Sequence, residues 1–408
     1  MLREKPTTHK YLNCDIFSQN EGLNKEALSE VNKIQVEFQQ DEISIVHSKR
    51  DVYPRISNYV EILESNSVGN YPFAGKNVEY KVTYQNLKNI DPDKPGLLLP
   101  IKDNVNLLEF TLQNIEEMGV NNVANVTVID DRSEEPEEIE QLANRHGAVY
   151  IRVDYASDVF NFSMLNNIGA FLYHRLGHED IILWNADLWA PNKKAVPTLL
   201  KTHAKAKKTG TKITGAKLLY PETGFCHLID EDKTYRELAK DFQTSEESVR
   251  ERGVFGKVQY GGGTYVVTTP FLRDQAHIFM SPVHYGRFSD KNNHKVNTNR
   301  ETKFVTGAFQ IIDLETFVEI GGFCQTLACS YQDADLCLRV SQLGHKVYYA
   351  GADVYLYHAE SLVLSSKLDD TKGSLKHTHS NTRDKLISDE VLYSMLWNFY
   401  FLSGQVTS

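Results

Sequence analysis

The sequence has 408 residues, 41% hydrophobic and 24% charged, which places it in the globular range with room for one large domain and a smaller appendage. With 54 acidic against 44 basic side chains it carries a formal net charge of −10, which argues against a surface that grips nucleic acid throughout, because phosphate binding draws on lysine and arginine. There is no apolar run of about eighteen residues and no basic-then-apolar leader, so a soluble, unprocessed, cytoplasmic protein without a transmembrane segment is expected.

Residues 1–95 lack a strand-turn-helix rhythm and are expected to form an N-terminal appendage, although Leu23, Ala27, Val31 and Ile34 recur at helical spacing and predict one amphipathic helix. The stretch NIDPDKPG, with two prolines and a closing glycine, reads as a linker. From Gly96 the pattern alternates. A strand over 97–101 (LLLPI) precedes a helix with Leu108, Leu112, Ile115 and Met118 on one face, then a strand over 126–130 (VTVID). The acidic helix EEPEEIEQLANRH leads to a strand over 148–153, and a helix with Ser163 as its N-cap leads to a strand over 180–184 (DIILW). Strands separated by helices imply right-handed crossovers and a mainly parallel α/β sheet covered on both faces. Ligands of such sheets bind at the carboxyl ends of the strands, where Pro100, Asp130, Asp131, Asn185 and Asp187 fall.

Three constellations carry chemistry. In WNADLWAP, Asn185 and Asp187 flank Ala186 directly after an apolar strand; a hard divalent cation wants oxygen ligands there, while Asn and Asp also favour plain turns. In SYQDADLCLRV, Asp333 and Asp335 open a helix, where the helix dipole alone favours carboxylates and where one of them can take a proton from an attacking hydroxyl. His358 closes an apolar alternating segment, and neutral imidazole is a ligand for ions such as manganese. The five cysteines (Cys14, Cys226, Cys324, Cys329 and Cys337) are odd in number and lack paired C-x-x-C spacing, which fits reduced core thiols. The stretch from His284 to Lys303, where Arg287, Lys291, Lys295, Arg300 and Lys303 outnumber Asp290 and Glu301, reads first as a solvated loop and second as a local basic groove.

Taken in order, these pieces resemble the inverting family-2 glycosyltransferases, particularly those of bacterial polysaccharide synthesis, over residues 96–362. LLLPIKDN is similar to the family's opening strand, and VIDDRSEEP to its acidic second strand. FNFSMLNNIGA resembles the helix before the metal motif, WNADLWAP stands where the family has Asp-x-Asp, and GAKLLYPETG resembles the strand and turn after it. GAFQIIDLETFVEIGGF is similar to the acceptor-side segment, Gln332-Asp333-Ala334-Asp335 to the motif of the base, and His358-Ala359-Glu360-Ser361 to the later histidine. The resemblance implies a GT-A fold over 96–362, with a C-terminal helical extension over 363–408. It implies a nucleotide-diphospho-sugar donor, a uridine one favoured, held at Pro100, Ile101, Asp130, Asp131, Asn185 and Ala186. It further implies Mn2+ or Mg2+ held by Asp187 and His358, and Asp333 as catalytic base. Two departures matter: Asn185 stands where the family has aspartate and Gln332 where it has glutamate, so the cation would rest on Asp187, His358 and the donor diphosphate.

A nucleotidyltransferase is the rival enzyme class, but it usually needs a glycine-rich phosphate loop after the first strand, and LPIKDNVN has no glycine. A sugar-binding module without activity is the rival of another class, since fold never guarantees chemistry. For the acceptor, a glycan or lipid-linked saccharide is favoured and a hydroxylated base in DNA is the alternative. The long insertion from about Phe225 to Thr302 is where acceptor specificity is expected.

Overall fold

The computed structural model describes residues 67–73, 76–155, 160–241, 244–268, 271–272, 275–276, 279–325, 327–359, 389–390, 392–394 and 396–397. The helix expected around Leu23 and most of the extension expected over 363–408 lie outside them. In chain order the elements are β1 (Ser67–Phe73), β2 (Lys76–Gln85), β3 (Gly96–Ile101), α1 (Val105–Glu117), β4 (Asn125–Asp131), α2 (Pro136–Arg145), β5 (Val149–Tyr155) and α3 (Phe162–Arg175). They continue as β6 (Asp180–Trp184), β7 (Leu188–Trp189), α4 (Ala195–Lys207), β8 (Thr211–Leu219), α5 (Glu231–Asp241), α6 (Glu246–Arg252), β9 (Val258–Tyr260) and β10 (Gly263–Thr268). Last come β11 (Phe271–Leu272), β12 (Gln275–Ala276), β13 (Phe279–His284), β14 (Asn299–Glu301), β15 (Phe309–Asp313), α7 (Leu314–Glu319), α8 (Gln332–Gln342) and β16 (Lys346–His358).

One mixed sheet in the order β1-β2-β5-β4-β3-β6-β15-β8-β16-β14 organises the molecule, with helices against it. Its centre is parallel: β5, β4, β3 and β6 run together, as do β8 and β16. Every residue of β3 and β4 is buried, the continuous pattern expected of strands covered on both faces rather than one. The α/β sheet flanked by helices that the motifs implied is therefore present. β15 enters antiparallel between β6 and β8, starting beside the end of β6 where Asn185 lies.

Two local readings are corrected. Residues 76–85, placed above in the appendage, add antiparallel to β5 through six paired positions and so extend the central sheet. The signal is the alternation of buried Val82 and Tyr84 with exposed Lys81 and partly exposed Thr83, the pattern of a strand with one covered face. The N-cap of α3 is Asn161, whose side-chain oxygen accepts from Met164 N at 2.9 Å. Ser163 lies inside the first turn and donates to Leu327 O at 2.6 Å.

α3 packs closely against the apolar sheet while its buried amides face other parts of the chain. Gly169 faces the sheet, where a Cβ would fall 2.8 Å from Leu98 Cδ2, so only glycine permits the close approach. On the other side Asn167 donates to Phe323 O at 2.9 Å and accepts from Phe323 N at 2.8 Å, while Asn161 donates to Gln325 O at 3.0 Å. The amides of FNFSMLNNIGA thus pin Phe323 and Gln325, on the segment that leads into α8 and Asp333.

Candidate active site

At the carboxyl end of β3, Pro100 and Ile101 are buried and paired with Ile129 and Asp130 of β4. Beyond them Lys102 reaches across to Asp131 O and Arg132 O, both at 3.3 Å, and Asp103 N donates to Ser133 Oγ at 2.9 Å. These contacts fasten the two loops that follow β3 and β4. Asp130 is fully buried, and its carboxylate accepts from Ser133 N at 2.9 Å, Tyr150 Oη at 2.7 Å and Arg152 Nη1 at 2.9 Å. A buried charge needs such partners, so Asp130 is held by its own fold. Asp131, on the opposite face of the strand, pairs with Arg132 Nε at 3.1 Å. Burial raises its carboxyl above the usual range, against the pull of Arg132 and Lys102.

The second corner forms where β6 ends. Asn185 N donates to Ala308 O at 3.1 Å and Leu188 N to Asn185 O at 3.0 Å, which turns the chain over Ala186. Ala186 is buried and its carbonyl accepts from the Thr111 hydroxyl. After the turn β7 pairs antiparallel with the end of β16, Leu188 opposite His358, and Ala359 N donates to Asp187 O at 3.0 Å. This short ladder brings Asp187 and His358 together across 171 positions of sequence: His358 Nε2 lies 3.2 Å from Asp187 Oδ1, and the Asn185 amide 3.4 Å away.

The tautomer of His358 follows from its other nitrogen. Nδ1 lies 2.8 Å from Gln259 Oε1, which can only accept, while Gln259 Nε2 faces His358 O at 3.5 Å and fixes the amide's sense. Nδ1 therefore carries the proton, and Nε2 of a neutral ring presents a lone pair to a carboxylate oxygen. Two acceptors in that position call for a proton or a cation between them, so the donor set fits a divalent ion. Asp187 and His358 supply two ligands, and among the described residues no group of three or more His, Cys, Asp or Glu side chains converges. The remaining ligands would have to be amide, water or substrate oxygens.

The third corner is Asp333 in the first turn of α8. Tyr331, just before the helix, has φ 63°, a conformation costly for a bulky side chain, and stacks on Tyr393 with ring centroids 5.0 Å apart. Asp333 Oδ2 accepts from Gly307 N at 2.8 Å and Oδ1 from Ala334 N at 2.7 Å. Burial raises its carboxyl from the ordinary value, countered by those two amides and by His284. Asp335 serves another purpose: it is buried, accepts from Arg339 Nε at 2.9 Å and Nη2 at 2.7 Å, and takes the Trp397 indole N–H at 3.0 Å. The two acids two residues apart thus divide into one held by main-chain amides and one locked in a side-chain ion pair.

Adjacent residues at the head of β15 join the corners, since Gly307 N holds Asp333 and Ala308 O holds Asn185. Lys102, Gln259 and His284 were not singled out from the sequence. Only Gln259 had a local cue, its place just before the glycine run 261–263. Trp184 and Trp189 are both fully buried, so neither offers a face to a sugar.

No family model matches the chain. The chain is 25% identical over 269 residues to the uncharacterized protein y4gI of Sinorhizobium fredii, an alignment covering 65% of this chain and 24% of that protein. The chain thus spans about a quarter of that relative. Among solved structures, Staphylococcus aureus TarS 1–349 matches with a TM-score of 0.36 and 10% identity over 77% of this chain and 73% of that one. Its complex with UDP-GlcNAc gives the same score at 12% identity over 76% and 77%. Scores at that level are too low to argue from. Among the described residues no helix is long and apolar enough to cross a membrane.

Proposed function

We propose that this chain is a glycosyltransferase that moves a sugar from a nucleotide diphosphate, a uridine one favoured, to an acceptor hydroxyl with inversion, as the resemblance to the family-2 enzymes implies. The observation that carries the reading is the convergence at one sheet end of the Asp187–His358 pair and the raised carboxylate of Asp333, tied together through Gly307 and Ala308. Asp333 takes the proton of the attacking hydroxyl, a role for which a raised carboxyl is better matched than an ordinary one. The amides of Gly307 and Ala334 aim its two oxygens. Asp131 and the loop after β3 hold the nucleoside, with Pro100, Ile101, Asn185 and Ala186 as the wall behind it, and Asp130 shapes that wall through Tyr150 and Arg152.

Asp187 and His358 would hold Mn2+ or Mg2+, which offsets charge on a departing diphosphate. His358 is oriented for this by Gln259. The favoured acceptor is a saccharide, free or lipid-linked. The test is a panel of nucleotide sugars assayed for nucleotide release with and without manganese and magnesium, followed by an acceptor screen with glycans and hydroxymethylated DNA. Asp187→Ala should lose metal-dependent donor binding in calorimetry. Donor binding that is strong in the wild type and unchanged in Asp187→Ala would remove the metal assignment.

A further inference from the structure

Part of the basic stretch that reads first as a solvated loop borders a cleft. Lys295, Arg300 and Lys303, together with His345 and Lys346 from the end of α8 and start of β16, line a cleft of about 810 Å3. Four fixed cations there face one lining carboxylate, Glu301, in a chain whose net charge is −10. Such a local reversal of sign concentrates an anionic ligand. Arg300 is built in: its Nη2 donates to Gly261 O at 2.7 Å, its Nη1 to Lys295 O at 3.1 Å, and its guanidinium lies 4.7 Å from the ring centroid of Tyr349 and 5.3 Å from that of Tyr285. Lys346 pairs with Glu301, which leaves the lining cationic even after that charge is cancelled.

The cleft also has aromatic walls. Tyr285 is one of two large apolar residues exposed among those described, and Tyr265 lies at the other side. Tyr265 is the connection to chemistry. Its phenol is buried in the field of Tyr393, Cys337 and Asp333, and α8 spans both places, with Asp333 in its first turn and Leu338, Ser341 and Gln342 on the cleft. Phe304 packs on it at 5.6 Å between ring centroids and leads directly into Gly307.

We infer that this cleft binds an anionic stretch of saccharide, phosphate- or carboxylate-bearing, as the part of the acceptor that precedes the reacting sugar. Cations hold its acid groups and Tyr285 packs on a ring face. A volume of about 810 Å3 fits a few sugar rings and is small for a wrapped polynucleotide, whose grip needs positive charge over a broad surface. The role as acceptor subsite rests on the glycosyl-transfer reading; binding of the acid chain does not.

The experiment is titration of the whole protein, without donor, with oligogalacturonate tetrasaccharide, a short poly(glycerol phosphate), neutral maltotetraose and a short single-stranded DNA. At least one of the two acidic chains should bind roughly tenfold more tightly than the neutral one, weaken with added salt, and lose roughly tenfold in affinity in Lys295→Glu/Lys303→Glu. The acid that binds identifies the group recognised. The milder Lys295→Gln, at an exposed position, keeps the test valid should the double variant melt early, and it should weaken binding in the same direction. Equal binding of the neutral chain, no effect of either variant, or tighter binding of DNA than of both acids overturns the inference. UDP titrated into the same wild-type sample reports on the donor reading separately.

Discussion

Asp333→Asn is less conservative than it looks. Asparagine matches aspartate in size, but Oδ2 of Asp333 accepts from Gly307 N at 2.8 Å and Oδ1 from Ala334 N at 2.7 Å, and an amide offers only one oxygen. Either way the residue turns, one N–H of the main chain meets an NH2 group. Leaving one buried donor unsatisfied costs about 1–3 kcal/mol. Set against a total of roughly 5–15 kcal/mol, the variant stays folded, so lost turnover cannot be assigned to unfolding. Loss of the base itself should lower transfer by roughly a hundredfold or more with donor affinity nearly intact. The assay combines nucleotide release with acceptor present, calorimetric donor binding, and urea unfolding on the same preparation. A pH series adds a readout that a structural role would not move. Because burial raises the Asp333 carboxyl, the acid limb of wild-type activity should lie above the ordinary carboxylate value of about 4, and the residual activity of Asp333→Asn should lack that limb. Near-normal turnover by the variant, or a loss no larger than its unfolded fraction, refutes Asp333 as the base.

Gly307→Ala places a Cβ 3.5 Å from Asp333 Cβ and 3.7 Å from its Oδ2, ordinary contact distances, so thermal stability should hold or rise by up to about 1 kcal/mol while transfer falls through crowding at the carboxylate. Unchanged transfer would place the acceptor elsewhere. Asp335→Asn breaks a buried pair with Arg339 and should cost about 3–5 kcal/mol in urea unfolding, with turnover per folded molecule largely preserved. Asp313 is desolvated by burial, yet bonds from Thr316 and Lys207 bring its carboxyl down to about 2. A depressed carboxyl stabilises above its unfolded value near 4, so about 2 kcal/mol should drain away as pH falls from about 4 through 2, and Asp313→Asn should flatten that slope in acid unfolding curves.

What could be read from the sequence was whatever repeats along the chain. The strands at 97–101, 126–130 and 180–184 announce themselves because a strand covered on both faces is apolar at most positions, and α1 because Leu108, Leu112 and Ile115 recur on one buried face. β2 was missed for the converse reason. A strand with one covered face needs only alternate positions apolar, and Lys81 and Thr83, alternating with Val82 and Tyr84, hide that pattern in a polar region. The site divides along the same line. Asp187 and Asp333 stand in short local motifs, so their candidacy was legible. That Gln259 would fix the tautomer of His358, or that His284 would lie in the field of Asp333, depends on strands that meet only after folding. No window of sequence contains those pairs.

The insertion between β8 and β15 shows why the acceptor side is least legible of all. β9 gives Gln259 to the histidine and Tyr260 to the core, its hydroxyl donating to Phe304 O at 2.7 Å. The next element, β10, gives Tyr265 to the lining of the cationic cleft. Three glycines at 261–263 separate these duties, and each is confined: a Cβ at Gly261 would fall 2.6 Å from Val296 Cγ1, and one at Gly263 would fall 2.4 Å from Phe304 Cδ1. The run is there so that the chain can pass close against its own return strand. A single short segment therefore sets the ligand corner, the packing beneath the base and the face of the cleft. An exchange of acceptor preference should accordingly map to residues lining the cleft, such as Lys295 and Lys303. The glycines and Gln259 should tolerate little, because each change there moves the Asp187–His358 corner and the surroundings of Asp333 together.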